Sequence, residues 1–173
     1  MNSKIKRIIN FSTAFGPSGM EDEVSSLAME DVKDICEVHD DTMRNTYMHF
    51  KQDKEHETTI LLDAHADEVG FIVQAIKPNG TIRFLPLGGW DPKNIVSGEV
   101  WILNDKGEKI SGIVASQPVH FLSEEKRNGK VDFDDLVIDV GATSSQEVKE
   151  EFHISVGNFM CPAVTCKYDE AHK

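Results

Sequence analysis

The stretch FIVQAIKPNGTIRFLPLGG, Phe71 to Gly89, sets two apolar runs on either side of Pro78-Asn79-Gly80. Asn-Gly between apolar runs is a strong short-range signal for a β-hairpin, because both residues accept the left-handed backbone that tight turns need. Two later stretches, GEVWILNDKGEKISGIVAS (98–116) and DDLVIDVGA (134–142), continue in the same style, as short strands between Gly and Asp turns. Roughly 90 residues from Gly70 onward therefore read as an all-β module with the strand spacing of a barrel or sandwich.

Upstream of Gly70 the pattern changes. TTILLDAHADEVGFIV (58–73) has the continuous apolar and β-branched character of a strand buried on both faces, as in α/β sheets. Before it, SKIKRIINFSTAF (3–15) places Ile5, Ile8, Ile9 and Ser12 on one helical face, and GPSG (16–19) stops that helix. MEDEVSSLAMEDVKDI (20–35) reads as a second helix, with Glu21 and Asp22 at its positive end and Val24, Leu27, Ala28, Val32 and Ile35 as its apolar stripe. CEVHDDTMRNTYMHF (36–50) reads as strand, turn at Arg44-Asn45, and strand, and KQDKEHE (51–57) as a polar connection. An α/β start thus leads into a β module.

Beyond the hairpins, Ser123 to Lys130 reads as a solvated loop, and SSQEVKEEF (144–152) as a short helix that Ser144 or Ser145 can cap, with Glu147 three residues after Ser144 in a capping-box arrangement. HISVGNFMCPAVTCKYDEAHK (153–173) gives a turn at Gly157-Asn158, strand character through Val164 and a polar end.

Composition narrows the functional classes. The chain has 173 residues, 39% of them apolar, enough for a real core. Thirty acidic against 18 basic residues leave a net charge of -12, which disfavours nucleic acid and anionic membranes as partners. No run approaches the roughly 20 apolar residues of a membrane span. Cys36, Cys161 and Cys166 cannot all pair, and Cys-x4-Cys is wider than the usual zinc spacing, so reduced thiols in a cytoplasmic protein fit best.

The chemistry concentrates at His65-Ala66-Asp67. A neutral imidazole is the commonest metal ligand, and it works best when its other nitrogen donates to a carboxylate that fixes its tautomer. On a strand, residues i and i+2 share a face, so His65 and Asp67 would project together while Ala66 points away. Glu68 and Gly70 would begin the departing turn. The paired carboxylates Glu124-Glu125 and Asp134-Asp135 lie in polar stretches and read as solvated faces.

AHADEVGFIV (64–73) resembles the first metal-ligand motif of the cytosolic dinuclear metallo-aminopeptidases, which include glutamyl, deblocking and tetrahedral enzymes. GPSGMEDEV (16–24), DDTMRNTYM (40–48), SQPVHFLSEEKRN (116–128) and LVIDVGATSSQEVKE (136–150) match further segments of that family in order, from about residue 8 to residue 158. The resemblance implies an α/β; incomplete aminopeptidase α/β domain with an inserted all-β barrel-like domain: residues 1–70 as the start of the catalytic domain, 71–160 as the inserted assembly domain, and 161–173 as the return. It also implies a pair of divalent metal ions, zinc or cobalt, a peptide substrate, and a homo-oligomer assembled through the β domain. By position, His65 corresponds to a metal ligand and Asp67 to the carboxylate that orients it.

Three departures from the family pattern are mild: Ala66 where methionine is common, Arg44 where a glycine precedes Asn45, and Asn158 where an aspartate follows Gly157. A larger one concerns the remaining ligands. The family pattern supplies a bridging aspartate, a Glu-Glu pair, a further aspartate and a histidine beyond the position of Lys173, and these 173 residues do not contain them. The expectation is therefore a polypeptide inactive by itself, with at most weak single-site metal binding. Two alternatives stand beside it: a non-catalytic oligomerisation or binding module, and, because relatives carry cellulase labels, a glycoside hydrolase. The last would need carboxylates flanking a cleft with aromatic platforms, for which only Trp90 and Trp101 are available. His120 matches a histidine of the family's inserted domain and is expected to pack or to lie at a subunit contact.

Overall fold

A computed structural model describes residues 2–51, 58, 60–117, 120, 124, 129–169 and 171. They form two compact units, Met1–Asp67 with Val164–Lys173, and Glu68–Ala163. No helix among the described residues is long and apolar enough to cross a membrane.

In the first unit, α1 (Ser3–Thr13) begins at Asn2, whose side chain accepts the Lys4 N–H at 2.9 Å. It stops before Ala14, ahead of the GPSG breaker, and the Thr13 hydroxyl turns back to the Ile9 carbonyl at 2.9 Å. The chain leaves α1 because Ala14, Phe15, Gly16 and Pro17 are buried. Gly16 is required there, since a Cβ would lie 2.5 Å from Val24 Cγ2. Phe15 N–H donates to the Glu23 carboxylate at 3.1 Å, joining this turn to α2 (Asp22–Val32), which carries Asp22 and Glu23 in its first turn. The expected apolar faces of these helices are only lightly covered. No residue of α1 is buried and Ile8 is 61% exposed, while Ser25 is the buried residue of α2.

The antiparallel strands β1 (Cys36–Asp40) and β2 (Thr46–Phe50) pair as expected around Arg44-Asn45. Their turn is built on Asp41, whose carboxylate accepts from Met43 N–H, Asn45 N–H, the Asn45 amide and the Tyr47 hydroxyl. Arg44, at φ 67°, occupies the left-handed region that a glycine adopts without steric penalty.

One expectation fails here. Residues 60–67 are not a buried strand: Ile60, Leu61 and Leu62 are 82%, 86% and 89% exposed, and regular strand begins only at Gly70. A strand exists through its ladder, and β1 and β2 form a two-stranded sheet with each other. Among the described residues nothing supplies residues 60–67 with a partner strand.

The second unit is a closed antiparallel barrel. Its strands are β3 (Gly70–Ile76), β4 (Ile82–Leu87), β5 (Glu99–Leu103), β6 (Lys109–Ser116), β7 (Leu136–Asp139) and β8 (Phe159–Pro162), in the order β3-β4-β7-β6-β5-β8 with β8 closing on β3. The Asn-Gly turn joins β3 to β4: Lys77 N–H donates to Thr81 O at 2.8 Å, and Gly80 takes φ +85°. A Cβ at Gly80 would also sit 2.4 Å from the Ala142 carbonyl, so glycine is required twice over.

Alternation along the strands fills the interior with Phe71, Val73, Ile82, Phe84, Val100, Ile102, Val114, Leu136, Ile138 and Met160. Each such side chain contributes about 1.5–3 kcal/mol on leaving water. Phe71 meets Phe84 edge to face at 5.1 Å. Closure gives each of the six strands a neighbour on both sides. The short helix α3 (Ser145–Glu150) plugs into this core with Val148. Ser144 caps it, accepting the Glu147 N–H at 3.2 Å, but Glu147 reaches past the cap to the N–H and hydroxyl of Thr143 rather than to Ser144. Strand character also ends at Pro162, short of Val164, which is 47% exposed.

Candidate functional site

Residues 60–67 have no regular secondary structure, and within them one local contact stands out. His65 Nδ1 lies 2.9 Å from the Asp67 carbonyl oxygen and 3.0 Å from Asp67 Oδ1. Both partners are acceptors, so in the neutral ring the proton sits on Nδ1 and the lone pair on Nε2. The His65 side chain is 85% exposed and that of Asp67 39%, leaving Nε2 open to a ligand. The sequence brings this pair together by a route other than the one expected: the link is a short i to i+2 hydrogen bond in coil, not a shared strand face. Gly70, expected in a departing turn, opens β3 instead.

A single oriented imidazole is not a metal centre. Catalytic zinc ordinarily takes about three protein ligands plus water. Among the described residues no group of three His, Cys, Asp or Glu side chains is placed to hold an ion. Among the described residues, His65 is placed as one candidate ligand of such a centre. A divalent ion, when bound, supplies Lewis-acid polarisation and an acidified water.

Other candidates resolve differently. His120 and Glu124 are exposed; Glu125, His56 and His172 lie outside the described residues, as does most of the loop expected from Ser123 to Lys130. Asp134, in the 3-10 turn Phe133–Asp135, pairs with Arg83, so one member of the Asp134-Asp135 pair serves the barrel wall. Trp90 stacks on Phe71 at 4.9 Å and donates its indole N–H to the Gly70 carbonyl at 3.0 Å. It is committed to packing rather than offered as a sugar platform.

Three carboxylates are held below their ordinary range. The Asn45 amide, with the other donors of its turn, lowers Asp41. The Ser155 hydroxyl and then the Asn158 amide lower Asp105, to which they donate at 2.5 and 2.9 Å. The Thr143 N–H and hydroxyl lower Glu147. All three are structural, each fixing a turn. The Asp105 cluster also explains Asn158: an aspartate there would set a second carboxylate against Asp105, whereas the amide donates to it.

A model of the M42 glutamyl aminopeptidases matches residues 45–172, about three-quarters of the sequence. The chain belongs to the M42 aminopeptidase family. Lysyl aminopeptidase of Pyrococcus furiosus is 33% identical to it over 138 residues, 78% of this chain and 39% of that protein. Among solved structures, the TET aminopeptidase of the archaeon Thaumarchaeota archaeon SCGC AB-539-E09 superposes with a TM-score of 0.90 at 33% identity, over 98% of this chain and 47% of that one. The TET1 peptidase of Pyrococcus horikoshii, which can assemble into a tetrahedron or a large octahedral shell, gives 0.79 at 29% identity over 92% and 46%. The M42 chain thus spans less than half the length of each of these relatives. Its mixed α and β architecture with a six-stranded closed barrel is that of the corresponding part of the TET enzymes.

Sequence reasoning missed one arrangement altogether. His39 and His49, assigned no role from the sequence, stack in the β1–β2 hairpin with ring centres 5.8 Å apart. Only the pairing register could reveal this, because the two lie ten positions apart.

Proposed function

We propose that these 173 residues carry one ligand, His65, of a dinuclear zinc or cobalt centre that removes N-terminal residues from peptides, and that the remaining ligands come from sequence they do not include. Asp67 acts as the positioning carboxylate: it holds Nδ1–H and thereby aims Nε2 at the metal and raises its basicity. The contact between His65 Nδ1 and Asp67, with Nε2 exposed, carries this reading. Membership of the M42 family supports the peptide substrate.

The polypeptide by itself should be catalytically silent. The test is hydrolysis of leucyl, glutamyl and lysyl amides by the purified chain with added zinc or cobalt. Turnover indistinguishable from buffer is expected, and robust turnover would overturn the half-site reading.

A second reading concerns the barrel. We infer that it is an assembly module through which copies of the chain form a homo-oligomer, in the cytoplasm. Its complete core, together with assembly of the related Pyrococcus horikoshii enzyme into closed shells, supports this. Light scattering should give one defined oligomer; a monomer or a spread of aggregates would count against it.

A further inference from the structure

On one face of the β1–β2 hairpin the register sets His39 opposite Tyr47 and Glu37 opposite His49. Residues directly opposite share a sheet face, as do residues two apart, so His39, His49, Tyr47 and Glu37 all project to the same side. Cys36, Val38, Met48 and Phe50 project to the other. The imidazole of His39 lies between two rings, 4.9 Å from that of Tyr47 at an interplanar angle of 10° and 5.8 Å from that of His49 at 4°. His39, His49 and Glu37 are all exposed.

We propose that His39 and His49 together chelate one late first-row divalent ion, such as zinc or nickel, at a surface site separate from His65. Imidazole suits these ions. Two imidazoles on one ion, with metal–nitrogen bonds of about 2.0–2.1 Å, place their ring centres roughly 5–6 Å apart. The ring centres are already that close, but the rings lie parallel at 4°, so both imidazoles must turn out of the stack for their in-plane lone pairs to meet at one ion. Five ladder pairs from Cys36↔Phe50 to Asp40↔Thr46 hold the two strands in register. After the first nitrogen binds, the second engages as an intramolecular ligand at high effective concentration. Glu37, directly across from His49, adds negative charge beside the ion, and water completes its coordination. The site is therefore an exchangeable one, open to solvent.

Zinc titration of the whole chain by calorimetry, with His39→Gln, His49→Gln, the double variant and His65→Gln, tests this. Either single hairpin variant should weaken the hairpin-site binding by about tenfold or more, and the double variant should lose little beyond that, because the two nitrogens act as a unit. Nickel should broaden the amide resonances around residues 37–39 and 47–49 in an NMR titration, and His65→Gln should leave that pattern intact. Far-UV circular dichroism guards against a folding artefact. Binding that survives both hairpin substitutions and disappears with His65→Gln would overturn the proposal, as would absence of any broadening in the hairpin. Neither result bears on whether His65 serves the aminopeptidase centre.

Discussion

The two units solve the same problem with different success. In the barrel, six strands close on themselves and 14 buried apolar residues share one interior. In the unit that carries His65, no residue of α1 is fully buried, Ile60 to Leu62 are exposed, and the described sheet has two strands. Apolar composition alone does not make the difference, since Ile-Leu-Leu is as apolar as any barrel strand. Closure does: a strand flanked on both sides satisfies its backbone groups and shields its side chains, whereas a lone segment can do neither.

The largest test of this contrast is a pair of truncations. Phe71→Ala, at a position 1% exposed, should cost about 3–5 kcal/mol in urea unfolding of the barrel. Leu61→Ala, at 86% exposure, should change stability by less than about 0.5 kcal/mol. Similar losses from both would show that residues 60–62 are covered and that the contrast between the units is wrong.

A smaller effect of opposite sign is expected at Ser25. Its hydroxyl is buried and has no hydrogen-bond partner among the described residues. Ser25→Ala should therefore stabilise the first unit by about 1 kcal/mol, read as a rise in its unfolding midpoint. A destabilisation would mean that the hydroxyl has a partner after all.

The smallest effects are those of pH. Asp41, Asp105 and Glu147 all have folded pKa values lowered by donors of their own turns. Lowered carboxylates contribute stability above their unfolded values, near pH 4, and that contribution fades as pH falls through the folded values. Acid should thus loosen the Asp41 turn of one unit and the Asp105 and Glu147 turns of the other, each visible by amide chemical shifts. Asn158→Asp should lower the melting temperature at pH 7 and do so less as pH drops below about 4, because protonation removes the repulsion from Asp105.

How much was legible in the sequence follows the same divide. The β3–β4 hairpin was readable because Asn79-Gly80 fixes the turn locally and the flanking alternation fixes which residues face inward. The turn at Arg44-Asn45 and the Ser144 cap were local in the same sense. The strand expected at 58–73 formed only from Gly70 and failed over 60–67, because Ile60, Leu61 and Leu62 express a propensity, while a strand also needs a neighbour, which propensity does not supply. The His65–Asp67 link was legible since its members lie only two positions apart. The reciprocal arm of Glu147 went to Thr143 instead of Ser144, a choice between adjacent donors that spacing leaves open. The His39–His49 stack was invisible, because it depends on the register of two strands.

Residue-resolved amide hydrogen exchange on the whole chain tests the contrast between the units most directly. Amides within the barrel ladders, such as those of Val73, Ile102 and Ile138, should exchange only through global opening of the barrel, while those of Leu61 to His65 should exchange at rates close to those of an unstructured peptide. Protection of Leu61 to His65 equal to that of the barrel strands would contradict the account.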